Sequence, residues 1–245
     1  MRAIARVRSV AAASSQRGSQ PKSCGRPQRL VIESLQRHDL LRVDPAGWQQ
    51  ALAHLAPIAA RPHVREWACR GWPVIVRRYA PGEAPDLIPV AISLPAPARR
   101  PGVALALPLS CIVERLPAVA VSACCSQAPA AWRDTLQSLL AIGERCGSAP
   151  AVFGSLMWQT LTGLSYLHER SDVDLLWRVT RREQARELVH AIASCARNSP
   201  MRIDGELLLP DGAGIQWREW DSAGEVIVRT LHRAESRAAD QLFRS

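Results

Sequence analysis

The chain has 245 residues, 47% of them hydrophobic and 22% charged, which is enough apolar material for one domain of good size or two small ones. The formal charge is +9, but residues 1–29 hold seven basic residues and no acid; removing those seven from the 31 leaves 24 basic against 22 acidic residues. The body of the chain is therefore near neutral, and overall charge is no argument for nucleic-acid binding. The most apolar stretch, 101–125, is broken by Pro108, Glu114, Arg115 and Pro117, so no membrane span is expected.

Residues 1–29 are rich in Ser, Ala, Gln and Arg without hydrophobic period, and read as a disordered basic arm. Their composition also fits an organelle transit peptide, whereas Val10-Ala11-Ala12-Ala13 is too short for a secretory signal. The seven cysteines are odd in number and form no Cys-x-x-Cys, which points to reduced thiols in a cytoplasm; Cys124-Cys125 reads as core filler rather than a redox or metal pair.

Residues 30–126 read as a small α/β unit. Helices are expected near 46–55 and 63–69, and strands over 73–79 and 87–94 around the Pro/Gly-rich turn 80–85. His38-Asp39 could pair catalytically, but neighbours in sequence usually diverge, and Asp39 is the better candidate for a helix entry. Arg77-Arg78 and Arg99-Arg100 are candidate phosphate contacts, since the guanidinium fork suits phosphate oxygens. Residues 101–130 hold several prolines and no clear period, so no element is assigned there and a domain boundary is placed near 126–130.

The second unit, 127–245, opens with a helix over 130–145. A short strand at 151–153, a helix over 155–162, a strand over 173–179 and a helix over 181–197 follow. Strands over 202–209, 214–220 and 225–231 are expected to form an antiparallel set, joined through Asp211-Gly212 and Ser222-Ala223-Gly224. The tail after His232 is expected to be helical or frayed.

The chemistry concentrates at 153–177. Gly154-Ser155 follows the apolar Ala151-Val152-Phe153 and opens a helix, whose free N–H groups favour phosphate oxygens. Ser171-Asp172-Val173-Asp174-Leu175-Leu176 begins 16 residues after Ser155 and alternates acid with apolar residue. In a strand, i and i+2 point the same way with Cα atoms about 7 Å apart, so Asp172 and Asp174 project together. Two such carboxylates can share one or two Mg²⁺ or Mn²⁺ ions, the clamp a phosphoryl-type displacement uses. Asp-x-Asp alone is a common surface pattern; with strand, Gly-Ser and helix ahead of it the combination is more specific. Trp158 fits a core position better than a ligand contact, while Gln159 could reach substrate. His168 reads as an exposed loop residue.

That combination resembles the nucleotidyltransferase superfamily that includes polymerase β. The resemblance implies a third carboxylate on a neighbouring strand, a role given to Asp204 in Arg202-Ile203-Asp204-Gly205-Glu206, with Glu206 the nearest rival and Glu219 the next. More narrowly, Gly154-Ser155, Trp158-Gln159, Thr162-Gly163-Leu164, Tyr166 and Ser171–Leu176 are similar to the malonate decarboxylase holo-acyl carrier protein synthases, or phosphoribosyl-dephospho-CoA transferases. Arg37-His38-Asp39-Leu40-Leu41, Pro73–Arg78 and Asp204-Gly205-Glu206-Leu207 agree, so the resemblance spans about residues 36–232. The segment Ile92–Arg100 departs from the family's glycine- and arginine-containing pattern.

The resemblance implies an α+β fold: a substrate-handling N-terminal unit and a nucleotidyltransferase-like C-terminal domain with a mixed sheet. It implies metal held by Asp172, Asp174 and Asp204, substrate bound by Gly154, Ser155, Gln159, Arg77 and Arg78, and triphosphoribosyl-dephospho-CoA as donor. The acceptor would be a serine of the malonate decarboxylase acyl carrier protein subunit, with diphosphate released. A nucleotidyltransferase using an ordinary NTP, and a non-catalytic binding protein of the same fold, are the competing readings.

Overall fold

A computed structural model describes residues 31–95, 102–220 and 224–243. The arm 1–29, Arg99-Arg100 and the Ser222-Ala223 turn lie outside the described residues. Strands and helices in chain order are β1 (Leu40–Val43), α1 (Pro45–Leu52), α2 (Ala56–Ala59), β2 (Val74–Val76), β3 (Leu87–Ser93), β4 (Gly102–Pro108), β5 (Ile112–Leu116), β6 (Val119–Ala120), α3 (Val121–Cys124), α4 (Arg133–Cys146), β7 (Ala151–Phe153), α5 (Gly154–Thr162), β8 (Val173–Arg178), α6 (Arg182–Ala196), β9 (Ile203–Leu208), β10 (Gly214–Gln216), β11 (Glu225–Arg229) and β12 (Ala234–Ala238).

Two sheets result, giving the α+β class expected. The first, in the order β4-β3-β2-β1-β5, is wholly antiparallel; the second runs β12-β11-β10-β9-β8-β7-β6. The second is mixed because β8 and β9 are parallel, Asp174 standing in register with Asp204, while the other pairs are antiparallel. Parallel neighbours need a crossover, and α6 supplies it, burying Ala185, Leu188 and Ile192 and packing on α4. The change of sheet falls between Leu116 and Val119, upstream of the 126–130 anticipated.

Several expectations are corrected. Residues 62–71 form successive turns instead of a helix, with His63 in the left-handed region after Pro62. The unassigned 101–130 contains β4, β5, β6 and α3. In β4 only Val103, Leu105 and Leu107 are buried, yet the positions between them are Ala104 and Ala106, so the alternation of burial leaves no alternation of polarity. The tail after His232 is a strand, β12, paired along β11. Residues 217–219 are a 3₁₀ turn rather than the end of a strand.

The two units share a seam. Trp67 packs edge-on against Trp158 with ring centroids 5.6 Å apart, and the Tyr166 hydroxyl donates to Ser93 O at 2.9 Å. Tyr79 stacks on His232, and its N–H donates to Leu231 O. Trp158 is thus core, as its position suggested. No helix among the described residues is long and apolar enough to cross a membrane.

Candidate metal and phosphate site

Alternation along β8 sends Val173, Leu175 and Trp177 to a fully buried face and leaves Asp174 on the other. Asp172 precedes the strand and shares that side. The parallel register brings Asp204 of β9 alongside Asp174. One carboxylate oxygen from each of Asp172, Asp174 and Asp204 lies within 4.8 Å of the others, all three partly buried. The rivals are otherwise occupied: Glu206 is ion-paired with Arg37 and in contact with His38, and Glu219 is paired with Arg229 at 3.4 Å.

Asp204 is fixed in place. Its Oδ1 accepts from Gly205 N at 2.8 Å and from Gln216 Nε2, and its Oδ2 faces Arg202 at 3.1 Å. Asp174 is electrostatically strained: burial pushes its carboxyl up to about 7, and the charges of Asp172 and Asp204 add to that, against a smaller opposing effect from Arg202. Among the described residues, these three carboxylates have a single ion-pairing arginine, itself mostly exposed, and so lack compensating positive charge. Hard oxygen ligands at this spacing fit a hard divalent cation.

The helix entry abuts this cluster. Phe153 pairs with Asp174 across β7 and β8, so α5 begins beside the carboxylates. Gly154 has φ +69, and a Cβ there would collide with the Asp174 carboxylate, its Cγ being only 2.8 Å away. Only glycine combines that backbone with that approach. Phe153, at the cap, offers no side-chain acceptor, so the first-turn N–H groups of α5, including that of Ser155, are open to an anion.

Other anticipated contacts are placed elsewhere. Gln159 spends its carboxamide on main chain: Nε2 donates to Gln127 O at 2.9 Å, and Oε1 accepts from Tyr166 N and Leu167 N, both at 3.1 Å. It ties down the loop that leads to Asp172. Arg77 is paired with Glu83 and donates to Val90 O and Leu105 O within the first sheet. Arg78 is exposed and lines a separate cleft with Tyr79, His232 and Arg233. His168 is exposed, its Nδ1 accepting from Arg170 N at 3.1 Å. His38 and Asp39 diverge: Asp39 turns to Arg115 at 2.6 Å, and His38 to Glu206 at 3.3 Å; Asp39 enters no helix but precedes β1, and it is Asp44 that caps α1. That long-range engagement of Arg37 and His38 had no signal in the sequence beyond their place in a recognisable motif.

Comparison with known proteins identifies the family of the chain. Residues 36–118 match the model for the phosphoribosyl-dephospho-CoA transferase MdcG N-terminal domain, and residues 118–240 the model for the C-terminal domain. A phosphoribosyl-dephospho-CoA transferase of Xanthomonas euvesicatoria is 37% identical over 79% of this chain and 90% of its own length. One from Bradyrhizobium diazoefficiens is 36% identical over 80% and 87%, and one from Pseudomonas aeruginosa 35% identical over 69% and 80%. No solved structure matches the chain.

Proposed function

The chain belongs to the phosphoribosyl-dephospho-CoA transferase family, and from that membership we propose that it moves the phosphoribosyl-dephospho-CoA group from triphosphoribosyl-dephospho-CoA to a serine of the malonate decarboxylase acyl carrier protein subunit. The reaction is of the nucleotidyltransferase type. The serine oxygen attacks the α-phosphorus of the triphosphate, the bond to the β-phosphate oxygen breaks, diphosphate leaves, and the hydroxyl proton passes to a carboxylate, for which Asp204 is the candidate.

Asp172, Asp174 and Asp204 are the residues that would hold Mg²⁺ or Mn²⁺. Such a cation supplies positive charge to the phosphate oxygens as the bond to the leaving group lengthens. Gly154 and Ser155 receive the β- and γ-phosphates on their main-chain N–H groups. With no covalent intermediate to form, the chain contributes positioning and electrostatic stabilisation. The observation that carries this reading is the contact of Gly154 with Asp174, which sets a helix N-terminus for anions directly against a carboxylate cluster for cations.

The test is incubation of the purified protein with Mg²⁺, apo carrier protein and the triphosphoribosyl-dephospho-CoA donor, read by intact-protein mass, alongside Asp172→Ala and Asp174→Ala. A mass gain equal to the phosphoribosyl-dephospho-CoA group, abolished in both variants, is the expected result. Transfer only from an ordinary NTP would discard the donor assignment and keep the site; variants indistinguishable from wild type would remove the site itself.

A further inference from the structure

Beside the carboxylate cluster, the N-terminal unit makes a contact that burial alone does not account for. Arg37 grips Glu206 with both guanidinium nitrogens, at 3.0 and 2.9 Å, and also donates to Arg229 O at 3.2 Å. His38 Nε2 lies 3.3 Å from Glu206 Oε2, and its ring packs on Phe153 with centroids 4.6 Å apart. Gly214 gives this network its room, since a Cβ there would collide with the Glu206 carboxylate and sit 3.2 Å from Arg37 Nη1.

The sheet register shows where these contacts fall. Phe153 of β7 is paired with Asp174 of β8, and Leu176 of β8 with Glu206 of β9. His38 therefore reaches across β8 and touches the strand on each side of it. One of its contacts immediately precedes Gly154, the phosphate cradle; the other lies on the same strand face as Asp204, two residues on. A single imidazole from the first unit spans the two parts whose spacing defines the metal site.

The backbone of His38 supports a role for the side chain. Its φ is 70°, in the left-handed region that favours glycine. The turn is anchored to the first sheet, with His38 N donating to Val76 O at 2.9 Å and Asp39 N to Gln36 O at 3.2 Å. Asp39 Oδ2 accepts from Gln36 N at 2.8 Å. The turn carries the His38 ring out of the first sheet onto Phe153 and Glu206.

We propose that the Arg37–His38 turn is a positioning element for the catalytic site: through Phe153 and Glu206 it fixes the spacing of the Gly154 cradle, Asp174 and Asp204, so that metal affinity in the C-terminal sheet depends on two residues of the N-terminal one. This rests on the reading of the three aspartates as a metal site. In this proposal both act through their neighbours Phe153 and Glu206 and not as ligands themselves.

The test uses the full chain without donor. Mn²⁺ binding is measured by the electron paramagnetic resonance of the free ion for wild type, His38→Gly, His38→Asn, Arg37→Ala and Arg37→Lys, with Arg42→Ala as control for an exposed ion pair of the adjoining strand. Glycine and asparagine both accept the left-handed backbone, so the turn survives the loss of the ring. Groups that orient metal ligands typically contribute about 10-fold or more in affinity. Mn²⁺ affinity should fall about 10-fold in the His38 variants and in Arg37→Ala, less in Arg37→Lys, and not at all in Arg42→Ala. In the transfer assay the same variants should lose kcat with little change in donor KM. Affinities within twofold of wild type in folded His38→Gly and Arg37→Ala would overturn the proposal, and wild-type transfer would then leave the transferase reading standing. Lowered affinity in the variants, with no transfer by wild type from that donor, would support the proposal and remove the transferase reading instead.

Discussion

Replacing Asp174 with asparagine should stabilise the metal-free protein at pH 8 while abolishing transfer. The carboxyl is pushed from its ordinary 3.8 up to about 7, chiefly by burial and then by Asp172 and Asp204. With an ordinary value in the unfolded chain, the folded protein holds the extra proton between those two values. Stability therefore falls as pH rises through that window, opposite in sign to an ion-paired aspartate. Full conversion of the displacement gives about 4 kcal/mol as a ceiling, and solvent reaching the partly buried site lowers it to about 2 kcal/mol. Urea unfolding in EDTA, from pH 4 to pH 8, compares wild type with Asp174→Asn. The variant should be more stable by about 2 kcal/mol at pH 8, with the gap closing towards pH 4. Mg²⁺ at ten times its Kd should then raise the wild type alone, by about 1.4 kcal/mol. No gain at pH 8, or a gain that persists unchanged at pH 4, would refute the claim that burial and the neighbouring carboxylates raise the Asp174 carboxyl in the folded state.

Four further substitutions separate site from scaffold. Gly154→Ala places a methyl against Asp174 on a left-handed backbone; it should cost about 1–2 kcal/mol from the backbone alone, and transfer in the mass assay should drop roughly 100-fold as the carboxylate is displaced. Glu206→Gln leaves the Arg37 guanidinium without its counter-charge and should cost about 3 kcal/mol at pH 7. Because Glu206 is held at about 2 when folded, the wild-type advantage in urea titrations should hold above 4.5 and disappear as pH falls through about 2. Gln159→Ala strands the Tyr166 and Leu167 N–H groups; a stability loss of about 1–3 kcal/mol with unchanged donor KM is expected. Arg77→Ala should lose about 1 kcal/mol in denaturant and keep full transfer, since its guanidinium faces Glu83 and main-chain carbonyls.

What could be read from the chain alone follows the range of the interactions involved. α5, β8 and α6 were legible because local periodicity specifies them, with Gly163 stopping α5. β4 was not, because alanines fill its exposed positions and erase the polar half of the alternation. β12 was not, because Ala234-Glu235-Ser236-Arg237-Ala238 carries no apolar stripe and is a strand only through its main-chain ladder to β11. The turns at 62–71 place Val64, Trp67 and Ala68 inside at the spacing a helix would use, so burial there imitates a helix that the left-handed His63 interrupts.

The candidate site divides along the same line. Asp172, Asp174 and Gly154 belong to one local motif, and their geometry follows from strand alternation and a helix start. The choice among Asp204, Glu206 and Glu219 does not, because Asp204 and Glu206 share one face of β9 and local pattern treats them alike. Two non-local facts separate them. Parallel pairing sets Asp204, not Glu206, beside Asp174. Arg37, 169 residues from Glu206 along the chain, neutralises the second acid. An acid already holding two hydrogen bonds from an arginine has little left to offer a metal, whereas Asp204 keeps an oxygen within reach of Asp172 and Asp174. The N-terminal unit thus selects which carboxylate of β9 joins the cluster, and a chain cut at the change of sheet would present four competing acids, Asp172, Asp174, Asp204 and Glu206, where the whole protein presents three.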